Sequence, residues 1–158
     1  MIDSFRGEYR FLSNFYWHNG WTVEHLFQAA KATNEKDRKY VIAADSPNEA
    51  KKRGHEIKCR EDWEDNVDVQ TMLVLLRMKF SIPEMRKKLL ATSDQELVEG
   101  NWWHDNKWGN CTCARLKKCE APGRNLLGRL LMHVRQEIIL NLAFGHDETT
   151  WQNQVFKY

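Results

Sequence analysis

Apolar residues recur at three- and four-residue spacing along much of the chain, and that spacing is helical. From Thr22 to Lys31, residues Val23, Leu26, Phe27 and Ala30 fall on one arc. Glu24, Gln28 and Lys31 fall on a narrow polar stripe at its border. Thr22 stands where an N-cap belongs. A second helix over Glu35–Ala44 puts Tyr40, Val41 and Ala44 inward. Ser46-Pro47-Asn48-Glu49 then combines a capping serine, a first-turn proline and a glutamate three residues after the cap, a specific helix start. That helix runs through Lys51-Lys52-Arg53, and Gly54 supplies its stop. The most regular stretch is Val67–Phe80, with Val69, Met72, Leu73, Leu76 and Phe80 at helical spacing, and it predicts a central core helix. Pro83 breaks it. Glu84–Ala91 resumes with Met85, Leu89 and Leu90, and Leu126–Leu140 closes the series with Leu127, Leu130, Leu131, Val134 and Ile138. Gly128 inside that last helix marks a close approach of a helix or a ligand.

Between the helices the pattern is weaker. Residues 1–21 are rich in aromatics, and Asn19-Gly20 is a type I′ turn signal, so a short strand or two is expected there. Gln95–Glu99 reads as another short strand. Residues 100–124 carry little periodicity yet hold tryptophans, a histidine, an aspartate and cysteines, and a loop of that length inside a domain is uncommon unless functional. The expected organisation is one domain over residues 1–140, followed by a polar tail, 141–158, packed on it or trailing from it.

Composition narrows the class. The chain has 158 residues, 42% of them hydrophobic and 29% charged, which suits a single folded domain. A formal charge of +2 argues against bulk electrostatic binding of nucleic acid. Local basic runs, Lys51-Lys52-Arg53 with His55, Lys58 and Arg60, and Arg115 with Lys117 and Lys118, suit either a solvated face or a phosphorylated ligand. No run is apolar enough to span a bilayer, and the N-terminus lacks a signal-peptide core, so no membrane partner is expected and the cytoplasm is the default compartment.

Familiar catalytic loops are absent: no Walker loop, no G-x-G-x-x-G, no G-x-S-x-G and no H-E-x-x-H. Cys111, Cys113 and Cys119 spell C-x-C-x5-C, unlike the C-x2-C pairs usual for zinc. They are read as reduced thiols ordering a loop, and neither metal nor cofactor is expected. The alternative is zinc, with a fourth ligand from His104, Cys59 or a carboxylate. Ser13 and Asn14 are turn formers or ligand-facing groups. Beyond them the candidates are Glu24 and Lys31, then Arg60, Asp62 and Trp63, then Asp105 with Trp108-Gly109.

At these residues the chain resembles the NADAR family of YbiA-like N-glycosidases. The resemblance rests on Phe11-Leu12-Ser13-Asn14-Phe15, Glu24-His25-x-x-Gln28-Ala29-x-Lys31, Ser46-Pro47-x-x-Ala50-Lys51, Asp62-Trp63, Met78-Lys79-Phe80, Leu97-Val98-Glu99, His104-Asp105-x-x-Trp108-Gly109 and Asn125-x-Leu127-Gly128-x-x-Leu131-Met132-x-x-Arg135. These run in family order from about Phe5 to Glu137. The cysteine-bearing loop departs from the commoner glycine-rich form and bears on substrate preference more than on chemistry. The resemblance implies a mainly α, single-domain YbiA-like fold with a few short N-terminal and central strands. It also implies an N-glycosidase acting on a phosphorylated ribose, most simply one that removes ADP-ribose from guanine bases of nucleic acid. Lys31 then resembles the nucleophile that forms a Schiff base with the opened ribose.

An amine attacks only when neutral, so Lys31 needs desolvation or a neighbouring cation to bring its pKa down from ~10.4. Glu24 opposes this unless it is protonated or turned toward the ribose hydroxyls. The two Cα atoms are separated by about 10 Å of helix, room for a sugar between the side chains. In this scheme Gln28 orients the ribose and Asp105 shuttles a proton or orients a hydroxyl. Trp63 and Trp108 stack on a ring or pack in the core, and Arg6 or Arg60 holds phosphate. Two rival readings keep the same site. One is direct water attack on a riboflavin-biosynthesis intermediate, and the other is binding of ADP-ribose or NAD without turnover.

Overall fold

The computed structural model describes residues 1–113 and 115–145. They fall into two compact units, Asn14–Leu75 and Met1–Ser13 with the chain from Leu76 onward. Expectations for Trp151, Val155, Phe156 and the rest of 146–158 lie outside the described residues. The fold is mainly α, as the periodicity predicts.

In the unit Asn14–Leu75, α1 (Val23–Ala29), α2 (Glu35–Ile42) and α3 (Pro47–Glu56) pack on one another. Each starts at a side-chain cap: the Thr22, Asn34 and Ser46 side chains accept from the amides of His25, Asp37 and Glu49. Ala29, Val41, Ala44 and Ala50 form a small core, with Ile57 packed against it. The side chains are short, so the helix backbones lie close. Gly54 carries this furthest. It does not stop α3, which runs on to Glu56. It is buried inside the helix, where a Cβ would collide with the Gln28 side chain. Tyr40, expected inward, is 44% exposed and donates its hydroxyl to Glu56 (2.8 Å), with the Arg53 guanidinium 4.7 Å from its ring centroid. The Asn19-Gly20 turn forms as expected: both residues have positive φ (47° and 85°), and His18 and Trp21 pair across it.

The helix α4 (Asp68–Ser81) contains the boundary between the units. In the other unit the expected N-terminal strand is a 3₁₀ helix, Gly7–Leu12; the local Gly-Glu-Tyr-Arg turn takes the backbone hydrogen bonds a strand would have needed to find elsewhere. This short helix and α6 (Leu126–Ala143) both pack on α5 (Pro83–Leu90). Leu12, Phe80, Met85, Leu89, Leu97, Leu127, Leu131 and Val134 are fully buried. The expected strand Gln95–Glu99 reduces to one bridge, Leu97 beside Ile2. Strand pairing instead occurs in the segment read as a loop: β1 (Gly100–Asn101) runs parallel to β2 (Asn110–Cys111). Gly128 marks a close approach of helix to chain, since a Cβ there would meet the Leu97 carbonyl and the Asn125 side chain. α6 continues past residue 140, so the tail as drawn from the sequence begins inside a helix. Among the described residues no helix is long and apolar enough to cross a membrane.

Candidate active site at the end of the first helix

The polar stripe of α1 is not a border. Glu24 and Gln28 are only 6% and 3% exposed, while Leu26 and Ala30 are half-buried, so the helix turns its polar face inward. A buried carboxylate and amide need partners. The Gln28 Nε2 donates to Glu24 Oε1 at 2.7 Å, which fixes the amide orientation and turns its carbonyl oxygen away. Among the described residues the Gln28 Oε1 finds no hydrogen-bond donor, and neither does Asn14 Oδ1, whose amide nitrogen reaches the Met72 sulfur at 3.6 Å. Asn14 is tied to the same helix, its carbonyl accepting from the Glu24 amide (3.0 Å). Asn14 and Gln28 thus both bond to Glu24, the first through its backbone and the second through its side chain. His25, between them, is a structural residue. Its Nε2 lies 3.0 Å from the Ala44 carbonyl and its Nδ1 lies 2.7 Å from the Thr22 hydroxyl, so both ring nitrogens are engaged.

Lys31 lies two residues past the end of α1. Its amide still reaches the Gln28 carbonyl (3.3 Å), and its own carbonyl accepts from the Arg60 amide (2.9 Å) beside the Ala32–Cys59 bridge. Partial burial pulls its pKa below the ordinary lysine value. Cys59 and Glu24 oppose that shift, Lys51 reinforces it, and Glu64 opposes it. The tension between desolvation and Glu24 is thus present, and desolvation wins. Lys31 and Lys51 also hold the His55 pKa down, after burial, so α3 brings positive charge to the lysine.

The neighbouring expectations fare differently. Arg60 and Asp62 are exposed and form a two-pronged ion pair, Nη2 to Oδ2 at 2.7 Å, which raises the arginine pKa and lowers that of the aspartate. Trp63 is 5% exposed and packs on Phe27, centroids 5.0 Å apart, among the core side chains. Phe15 is half-buried.

The remaining expected residues belong to the other unit. The Arg6 guanidinium lies 3.7 Å from the ring centroid of Trp102. Ser13 closes the 3₁₀ helix, and its carbonyl accepts from Lys79 Nζ at 2.9 Å. Asp105 caps its own loop: its Oδ1 accepts from the amides of Lys107 (3.0 Å) and Trp108 (2.9 Å). The Asn101 side chain clamps the Asp105 backbone from both sides, donating to its carbonyl at 2.7 Å and accepting from its amide at 3.1 Å. Trp108 is half-buried, and Gly109 is buried where a Cβ would strike the Glu99 carbonyl.

Two residues escape a reading of the sequence alone. Lys51 follows Ala50 in the Ser46-Pro47 motif, and its position in a basic run hides its nearness to Lys31. Lys79 is 2% exposed, and burial alone brings its pKa to about 7. Its signal in the sequence is a charge at i+7 from Met72 on the apolar face of α4. Engaged with the Ser13 carbonyl, it is a strut of the core rather than an accessible amine.

Comparison with known proteins gives the family and the fold. The family model described as NADAR domain matches residues 5–139. The N-glycosidase YbiA of Escherichia coli (strain K12) is 36% identical over 122 residues, covering 75% of this chain and 71% of that protein. An N-glycosidase of Nostoc punctiforme is 39% identical over 123 residues, covering 74% and 73%. The chloroplastic riboflavin biosynthesis protein PYRR of Zea mays is 36% identical over 131 residues, 75% of this chain but 20% of that protein. The NMR structure of the E. coli protein YbiA superposes with a TM-score of 0.71 at 31% identity, covering 90% of this chain and 89% of the other.

Proposed function

The chain belongs to the NADAR domain family of N-glycosidases, and from that premise we propose that it cleaves the bond between a base and C1′ of a phosphorylated ribose, using Lys31 as nucleophile. The observation that carries this reading is a lysine with a lowered pKa one turn beyond the buried, hydrogen-bonded pair Glu24 and Gln28. Ribose hydroxyls are donors, and the Glu24 carboxylate is an acceptor for them.

In this mechanism the ribose ring opens first, its ring oxygen taking a proton while the base nitrogen forms a C1′=N imine. The neutral Lys31 amine adds to C1′, gives up a proton to the base nitrogen, and the C1′–N bond to the base breaks, leaving the imine on Lys31. Water then adds to the imine carbon, and the sugar departs as the free aldehyde while the amine is regenerated. Glu24, held by Gln28, orients the hydroxyls. Lys51 keeps the amine neutral and offers charge to phosphate. Asp105 orders its own loop and carries no proton in this scheme.

The substrate we propose is ADP-ribose carried on a guanine of nucleic acid, supported by the basic character of the segment 51–60, of which Lys51 and His55 lie within electrostatic reach of Lys31. A second reading, a ribosylamino-pyrimidine phosphate, draws support from the relative named as a riboflavin biosynthesis protein. The test incubates the protein with each substrate and borohydride, then maps the reduced adduct. A stable adduct on Lys31 with ADP-ribosylated guanine DNA is expected. An adduct on Lys79, or release of the base with no trapped adduct, would remove Lys31 from the role. Release from the pyrimidine substrate alone would replace the first substrate by the second.

A further inference from the structure

The four atoms His104 Nδ1, Cys111 Sγ, Cys113 Sγ and Cys119 Sγ all lie within 4.8 Å of one another. The histidine nitrogen is 3.8, 3.2 and 3.5 Å from the three sulfurs in that order. A tetrahedral zinc bound at ordinary Zn–S and Zn–N lengths sets that edge at about 3.6 Å. We propose that this cluster is a structural zinc site of the Cys3His type.

Three further features point the same way. The Cys113 amide approaches the Cys111 sulfur at 3.5 Å and the Arg115 amide approaches the Cys113 sulfur at 3.4 Å, so amides are aimed at two sulfurs as they are at bound thiolates. His104 holds φ at +70°, an uncommon conformation for a residue with a Cβ, and it belongs to the residue whose ring meets all three sulfurs. All three cysteines are free, and an odd number of converging thiols cannot be resolved by disulfides among themselves. The fourth ligand is His104 rather than Cys59, an exposed thiol outside the cluster.

The spacing that argued against zinc is explained by the fold. β2 ends at Cys111, which projects inward. Two residues later the chain brings the Cys113 sulfur to the same cluster. The short 3₁₀ turn Lys117–Cys119 then brings the third sulfur back. Three thiolates and a zinc ion carry a net charge of −1, and Arg115, Lys117 and Lys118 on the same segment offset it. Four protein ligands close the coordination sphere, so this zinc holds the loop bearing Asp105 and Trp108 and has no open position for substrate. Because the ligands come together only in the folded chain, metal binding contributes directly to folding.

The test uses the full chain purified without chelator under reducing conditions. Elemental analysis is expected to give one zinc per chain, retained in Cys59→Ser and lost in Cys113→Ser. Cobalt added to the reduced, metal-stripped protein should give the visible d–d and thiolate charge-transfer bands of a tetrahedral sulfur-rich site. His104→Cys should keep the metal and intensify the charge-transfer band, whereas His104→Ala should weaken binding by at least tenfold. A metal-free protein in which cobalt raises no such bands would overturn the proposal. So would a mass 2 Da below the sequence value in the native protein, mapped to a disulfide within the cluster.

Discussion

The end of α1 and the loop between β1 and α6 reach order by opposite routes. At α1 the backbone is an ordinary capped helix, and the unusual feature is what it buries: a carboxylate, an amide with an unmatched oxygen, and beyond them a lysine with a lowered pKa. In the loop the backbone is irregular and side chains substitute for secondary structure. Asn101 clamps Asp105, and Asp105 caps Lys107 and Trp108. Asn106 Oδ1 accepts from the Cys111 amide (2.8 Å), and Asn110 Oδ1 from the Gly123 amide (2.7 Å). At α1 two buried acceptors lack a donor among the described residues, whereas in the loop the polar side chains are matched almost wholly by backbone.

That contrast can be broken most severely at Lys31. Lys31→Ala should lower turnover on the order of 10³-fold or more, as loss of a covalent nucleophile does, with melting temperature nearly unchanged. Steady-state kinetics with a parallel melt checks both halves, and a variant of near-native activity would end the Schiff-base mechanism.

Asp105 separates the two kinds of order more sharply. As a cap, Asp105→Ala should cost about 1–3 kcal/mol, since two amides lose their acceptor. Asp105→Asn keeps an oxygen in the same place and should stay within several-fold of native in both stability and rate. If instead Asp105→Asn folds normally but loses about 10²-fold or more in rate, the carboxylate is a proton donor and the loop belongs to the chemistry.

Gly54→Ala tests whether α3 holds Gln28 in place. The added methyl must displace the Gln28 side chain, and overpacking of this kind costs about 1–3 kcal/mol. Chemical denaturation reads that loss, and KM for the ribose substrate should rise as Gln28 moves.

The smallest effects concern pH. Neutral Lys31 is the reactive form, so imine formation should rise with pH until it passes the lysine's lowered pKa. Lys51 lowers that pKa and Glu64 raises it. Lys51→Ala should therefore move the rising limb to higher pH, and Glu64→Gln should move it to lower pH. Rates of borohydride trapping against pH measure both, and shifts of the same sign would show that the limb reports another group.

Much of the fold is legible along the chain because helix signals are local. Thr22 caps α1, Ser46 with Pro47 starts α3, and the apolar rhythm of Val67–Phe80 becomes α4; each depends on residues within a few positions of one another. Gly54 misleads for the same reason. A glycine after basic residues looks like a helix stop, and only the arrival of Gln28 from α1 explains its place inside the helix. Burial escapes the sequence as well, since a stripe of Glu24 and Gln28 looks alike whether it meets water or protein.

By itself, then, the sequence determined the helices, the caps Thr22 and Ser46, the family and the identity of Lys31 as a candidate, all through local pattern and motif order. Tertiary structure alone decided that the polar face of α1 is buried and that Trp63 is core. It also decided that Lys79 is a strut and that His104 joins Cys111, Cys113 and Cys119 across an unpromising spacing. Burial and convergence depend on segments distant in the chain, and no local pattern encodes which of them will meet.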